Sequence, residues 1–203
     1  MIHRELWNIL AGMNPADVSR RSLAHYDRTL KRYRLSILNR DYYVCPGDQI
    51  ILDAHSLTFP PPGFYLQLSA VNYLIGAQEI SCAGRWMSER QFPGGPLFFR
   101  GPHEMPVRRL EETFGQDLSS FRDACLSCGG KRVVGGDIAF ELPMLPRLPV
   151  RIILWKEDEE FPARICFLFD QTADKHLRLD ALWSVGKAIE KALLQKIELC
   201  QNS

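Results

Sequence analysis

Proline and glycine divide this chain before any other feature has a say. The runs Pro60-Pro61-Pro62-Gly63 and Pro93-Gly94-Gly95-Pro96, and the spaced set Pro143, Pro146 and Pro149, interrupt regular backbone, because proline fixes φ and carries no N–H. The chain therefore has to be assembled from short elements. None of the interruptions is long enough to be a domain linker, and no internal repeat or low-complexity tract occurs. With 203 residues, 46% of them hydrophobic and 24% charged, the expectation is one domain spanning 1–203 with a core of its own.

Between the breaks, the hydrophobic period decides the element type. Asn14-Pro15 supplies a helix cap and a first-turn proline, and Val18, Leu23, Ala24, Tyr26 and Leu30 follow at roughly helical spacing. Tyr33, Leu35 and Ile37 alternate with polar neighbours, Asn39-Arg40-Asp41 turns the chain, and Tyr42–Val44 and Gln49–Asp53 complete a β meander. Phe64, Leu68, Val71, Leu74 and Ile75 mark a buried helix. Two short helices are expected near Pro106–Phe114 and Leu118–Cys128, with Gly129 as a left-handed cap. Ile138–Leu142, Val150–Trp155 and Arg164–Phe169 read as strands, with the proline-spaced stretch extended and edge-like. Leu182, Val185, Ile189, Leu193 and Ile197 stripe a closing helix from Leu179. The expected fold class is α+β: antiparallel strands, helices packed on one face, and a long C-terminal helix.

Charge and cysteine content exclude several functions. Lys+Arg 25 against Asp+Glu 24 leaves a net charge of +1, so no global field draws the chain to nucleic acid or an anionic membrane. No apolar run approaches the roughly 20 residues of a membrane span, and Met1–Trp7 does not read as a signal peptide. Six cysteines are too few for a disulfide scaffold, which points to a reducing, cytoplasmic setting. Locally the balance shifts. Arg20, Arg21, Arg28, Lys31, Arg32 and Arg34 crowd one segment, which reads as a solvated face or as an anion- or partner-binding one.

Several side chains have chemistry to offer. Cys125 and Cys128 have the spacing of a metal chelate or redox pair. Without two further ligands nearby, the plainer reading is a pair of helix cysteines. Gly94 and Gly95 permit close backbone approach to an anion, with Phe98, Phe99, Arg100 and His103 just behind. His103 is an imidazole in a Gly/Pro loop, suited to axial ligation, proton transfer or plain solvation. Asp158, Glu159 and Glu160 fall in an acidic run between two strands, a solvated hairpin or a cation site. Asp137 and Asp170 sit at strand boundaries, where Asp caps turns or serves as a catalytic carboxylate. No Gly-rich phosphate loop, zinc-protease or nucleophile-elbow motif occurs.

Taken in order, Gly94-Gly95 before Leu97-Phe98-Phe99, Phe114-Gly115, Gly129-Gly130, Gly136-Asp137, Pro146 and Pro149, Trp155 with Asp158–Pro162, and Leu168-Phe169-Asp170 form a series. That series resembles a domain family of unknown function from anaerobic bacteria and archaea, whose members are sometimes joined to an iron–sulfur-binding segment. The resemblance spans about Asp17 to the last helix and implies a cytoplasmic protein of anaerobic metabolism, with no settled activity. No cysteine-rich cluster segment occurs within these 203 residues. As the family pattern runs, the positions of Cys125 and Cys128 are not reserved for cysteine. Association with anaerobic metabolism brings a tetrapyrrole or corrinoid ligand into view.

Three functions follow as expectations. The first is a binding module for a small molecule or cofactor at Gly94, Gly95, Phe98, Phe99, Arg100 and His103, with Asp158, Glu159, Glu160 and Asp170 on the rim. The cofactor itself is not specified by the sequence. The second is an accessory protein that meets a protein partner through its basic or acidic surface, without catalysis. The third is an enzyme using Asp137 or Asp170 in a cleft, with a raised carboxyl pKa.

Overall fold

Alternation and helical stripes become two antiparallel sheets and eight α-helices among the residues described in this computed structural model. Those residues are 2–56 and 62–201, with side chains described as far as Gln195. Pro60 and Pro61, and the side chains of Ile197 and Cys200, lie outside them.

The chain starts with α1 (Arg4–Gly12) and α2 (Pro15–Ser22), the latter capped by the Asn14 side chain accepting from the Ala16 N–H. The helical spacing expected to run on to Leu30 ends at Ser22. There the Ser22 hydroxyl donates to the Val18 carbonyl at 2.7 Å and accepts from the Ala24 N–H at 3.2 Å. Leu23 turns left-handed at φ 60°, and β1 (His25–Asp27) follows instead of more helix. A local hydroxyl bond of this kind competes with the helical ladder.

The first sheet is the expected meander with β1 added at its edge: β1, β2 (Arg32–Ile37), β3 (Arg40–Cys45) and β4 (Ile50–Asp53), each antiparallel to the next. Tyr33, Leu35 and Ile37 point inward and are buried. The β2–β3 turn falls on Leu38 and Asn39, both at positive φ, one residue earlier than the sequence implied.

The second sheet runs β5 (Trp86–Met87), β9 (Arg164–Asp170), β8 (Leu148–Trp155), β7 (Ile138–Leu145) and β6 (Lys131–Val133). The proline-spaced stretch is extended, as expected, but belongs to the central hairpin and not to an edge. Register shifts between Leu142 and Leu145 absorb the missing ladder bonds, and the freed Pro143 carbonyl accepts from the Leu38 N–H at 3.0 Å. A bulge that breaks the ladder thus joins the two sheets.

The helices α5 (Arg108–Phe114) and α6 (Leu118–Ser127) lie against β9 and β7. Asp117 caps α6 through the Ser119 and Ser120 amides, and Gly129 ends it at φ 75°. The long α8 (Leu179–Gln201) packs on α3 (Phe64–Gly76), α5 and α6. Leu182, Val185, Ile189 and Leu193 of α8 are wholly buried, each worth about 1.5–3 kcal/mol against exposure. Rings of Phe114, Phe121 and Phe140 meet edge to face beneath them, at 5.4 and 6.1 Å between centroids. Buried side chains from both sheets and the helices form one contiguous core. The fold class is α+β, as expected.

Candidate aromatic ligand site

The Pro93–Pro96 run makes a tight left-handed turn at Gly94, φ 80°, into the four-residue helix α4 (Gly95–Phe98). A second short turn, Gly101–His103, folds the chain back on itself. The outcome is a stack. The His103 imidazole lies on the Phe98 ring at 4.7 Å and 28°. Trp183 of α8 meets His103 edge-on at 5.7 Å, and Tyr65 of α3 meets Trp183 at 5.7 Å. The Trp183 indole N–H donates to the Glu104 carbonyl at 3.0 Å, which fixes the ring. His103 is exposed and Phe98 and Trp183 are half-buried, so the stack faces solvent. Beside it a cleft of about 450 Å³ is lined by Pro93, Phe98, Asp174, Leu177, Arg178, Leu179 and Asp180.

Other members of the expected site have structural work. Phe99 is fully buried in the core, with its ring edge-on to Phe98 at 5.0 Å. The loop amides are no anion nest. Leu97 and Phe98 donate to the Gly94 carbonyl, Phe99 to Gly95, Arg100 to Phe98 and His103 to Arg100. Short helical turns consume their own N–H groups this way. The Arg100 Nε donates to the Pro96 carbonyl at 2.5 Å, which holds the guanidinium over its own loop.

The acidic candidates do not converge. Asp158, Glu159 and Glu160 form an exposed hairpin turn in which Asp158 Oδ1 accepts from the Glu160 and Phe161 amides. Asp170 ends β9, whose start follows that turn, so about 20 Å of strand separates them. Asp170 is 1% exposed and accepts four hydrogen bonds: Ala83 N–H, Gly84 N–H, Thr172 N–H and the Thr172 hydroxyl. Burial alone would push its carboxyl up, yet these bonds outweigh burial and hold it below the ordinary Asp range. That is opposite to the raised value expected of a catalytic acid. Asp137 is exposed and accepts from the Lys156 N–H at 2.7 Å, closing the far end of the β7–β8 hairpin. Asp170 caps the turn after β9, and Asp137 ties the open end of a hairpin.

The cysteine pair is also structural in placement. Cys125 and Cys128 are buried at the end of α6, and burial, with Cys128 adding to it, pushes the Cys125 thiol far up. Among the described residues no group of three or more His, Cys, Asp or Glu is placed to hold a metal ion. The basic N-terminal segment is largely occupied as well. Arg20 pairs with Asp17 and Glu79, Arg21 with Asp17 and the Ala77 carbonyl, and Arg34 with Asp41, while Arg32 lies 3.5 Å over the Tyr43 ring.

Sequence reasoning missed Trp183, Tyr65 and the Leu177–Asp180 wall. Trp183 is flanked by Leu182 and Ser184 beside the α8 core stripe. A large aromatic just off a buried stripe was the available signal.

Fold and stack together define an α+β protein with an aromatic surface cleft at the head of its last helix. Residues 14–191 match the model of the family described as Domain of unknown function (DUF3786), and the chain belongs to that family. No curated protein and no solved structure matches it. Among the described residues no helix is long and apolar enough to cross a membrane.

Proposed function

We propose that the chain is a binding module for a small planar molecule or cofactor, held at the Phe98–His103–Trp183 stack and the cleft beside it. The observation that carries this reading is the stack itself. Three rings from two distant segments are held edge and face to one another at a solvent-facing cleft. A planar ligand gains face contact with Phe98 or Trp183 without reorganising them. Arg178, paired with Asp180 at 3.9 Å, can exchange that partner for an acidic substituent at the cleft wall.

A tetrapyrrole or corrinoid is the ligand class that the resemblance to a family of anaerobes brings forward, in a cytoplasmic protein folded as one unit over 1–203. The fit is partial. His103 offers one imidazole edge, but the cleft is open, not an enclosed apolar slot, and among the described residues no group of three or more His, Cys, Asp or Glu is placed to hold a metal ion. Such a ligand would lie against the stack from outside, with His103 holding one face.

The test is absorption and tryptophan fluorescence. Protein purified without oxygen from its natural host is scanned for visible bands, and the recombinant chain is titrated with a porphyrin and with a corrinoid. Trp183 fluorescence should quench on binding, and His103→Ala should weaken binding at least tenfold. Featureless spectra together with no quenching by either probe would remove the tetrapyrrole reading. Unchanged binding in His103→Ala would remove the stack as the site.

A second reading has its own observation. The hairpin turn Glu157–Phe161 presents four acids beside Phe161, which is 66% exposed. Docking of this turn on a basic protein partner would weaken as salt screens the charges, over about 10 Å at 0.1 M.

A further inference from the structure

The segment from Gln78 to Arg85 has no regular secondary structure and is exposed almost throughout. A handful of side chains pin it down. The Arg147 guanidinium donates to the Ile80 carbonyl at 3.2 Å, the Cys82 thiol lies 3.6 Å from the Arg147 carbonyl, and Asp170 holds the Ala83 and Gly84 amides. At its start the Gln78 N–H donates to His176 Nδ1 at 3.2 Å. Cys82 also walls a cleft of about 290 Å³ between the two sheets, opposite Ser36, Lys131 and Glu141.

His176 ends the short helix α7 (Ala173–His176) and is 1% exposed. Because Nδ1 accepts, the neutral ring carries its proton on Nε2, and that atom is buried with no partner. The two backbones run close here, since a Cβ on Gly76 would lie 2.7 Å from the His176 carbonyl oxygen. A second proton would find no acceptor among the described residues. On Nδ1 it would point at the Gln78 N–H, two donors face to face, and the charge would be buried.

The groups facing the imidazole do not relieve this. Tyr73 of α3 lies 6.4 Å away, with its hydroxyl bonded to Ser22 and Arg147. Arg147 from the β7–β8 turn adds positive charge. Asp170 of β9 already accepts four bonds, and Asp174 of α7 pairs with Lys175. Burial first, and Arg147 second, keep the imidazole below its ordinary value of 6.5.

We propose that His176 is an acid-sensitive latch: neutral, it ties Gln78, the first residue of the Gln78–Arg85 strap, to α7; protonated, it releases Gln78 and loosens the start of the strap, while Asp170 keeps hold of Ala83 and Gly84. The proton balance is one H⁺ taken from solvent per Gln78 released, with the ring moving into water as imidazolium. The released state titrates near the free value of about 6.5, while the closed state titrates lower. Release is therefore favoured up to tenfold for each pH unit below about 6.5, until the closed-state value is reached.

Amide hydrogen exchange on the full chain reads this directly. Between pH 7.5 and 5.5, after correction for intrinsic exchange, protection of the Gln78 amide should fall by up to tenfold while Ala83 and Gly84, held by Asp170, and strands β7 and β8 keep theirs. The variant His176→Asn puts a non-titrating carbonyl oxygen near Nδ1 and should make protection of the Gln78 amide independent of pH. Should that variant not fold, ¹⁵N resonances of the wild-type ring decide. His176 Nδ1 and the Gln78 amide should titrate together, below 6.5. Constant protection of the Gln78 amide, a loss of protection spread over the whole chain, or an imidazole that titrates at 6.5 without moving the Gln78 amide would each overturn the latch.

Discussion

The Tyr73 hydroxyl accepts a hydrogen bond from the Arg147 N–H at 3.0 Å, joining α3 to the β7–β8 turn across 74 residues of sequence. The same oxygen donates to the Ser22 carbonyl at 3.1 Å, so a single phenol ties α2, α3 and the second sheet at a fully buried point. Removing it leaves a carbonyl and an amide without partners, and an unpaired buried group costs about 1–3 kcal/mol. Tyr73→Phe should therefore lower the unfolding free energy by about 2 kcal/mol. Urea denaturation checks this: the midpoint should drop with the slope unchanged.

Asp170 does for the exposed strap what Tyr73 does for the core. Four donors converge on one carboxylate, and bonds to a charged group are worth about 1.5–3 kcal/mol each. Asp170→Asn replaces an acceptor-only group by one that also donates, setting an amide N–H₂ against backbone N–H groups. A loss of about 2–4 kcal/mol is expected in chemical denaturation, with strap amides losing protection first.

The same carboxylate sets an acid limit. Its pKa is lowered in the folded chain, so the unfolded state takes up a proton at a higher pH than the native state does. The stabilisation is complete above the unfolded value of about 3.9 and is lost as pH falls below it. Thermal melting of the wild type should weaken between pH 4 and 2 more steeply than that of Asp170→Asn, which has no such group to titrate. Parallel pH profiles would show that Asp170 carries no excess stability.

Most of the fold was legible wherever a period was long. The α8 stripe from Leu182 to Leu193 and the alternation of Tyr33, Leu35 and Ile37 name their elements because burial repeats at 3.6 and at 2. What stayed hidden turns on single residues or on pairs distant in sequence. Nothing local marks β5, since Trp86 and Met87 become a strand only by pairing with Asp170 and Phe169. Half of the aromatic site was visible in Phe98 and His103; the other half, Trp183, lies 80 residues further on and reads locally as helix surface. Asp170 was legible as a turn cap or as a catalytic acid, and only its four donors separate the two.

Leu23 is the clearest local conflict. It is 57% exposed, so little packing offsets a left-handed φ of 60°, a conformation that costs a non-glycine residue roughly 1–2 kcal/mol. Its apolar side chain at near-helical spacing is what carries the helix reading past Ser22. Leu23→Gly should raise stability by about 0.5–1 kcal/mol, the relief being partly offset by the freer unfolded chain. A melting temperature that falls would mean the Leu23 side chain packs more than its exposure implies.

Gly94 and Gly95 separate two reasons for glycine at one turn. Gly94 needs its left-handed φ of 80° and has room, since a Cβ there would stand 3.5 Å from its nearest neighbour, Leu179 Cδ1. Gly95 is buried, and there a Cβ would overlap the Glu89 carbonyl oxygen and meet Arg90 backbone at 3.2 Å. Backbone cannot swing aside as a side chain can, so Gly95→Ala should cost about 1–3 kcal/mol through overpacking. Gly94→Ala should cost about 1 kcal/mol through backbone strain alone. The two also differ in reach. Gly95→Ala pushes α4 off the Glu89–Gln91 turn and tilts Phe98 away from His103, so probe binding at the stack should weaken along with stability. Gly94→Ala should leave binding within twofold of wild type once the protein is folded. Equal effects of both on binding would show that the Phe98–His103 stack does not depend on how α4 is seated.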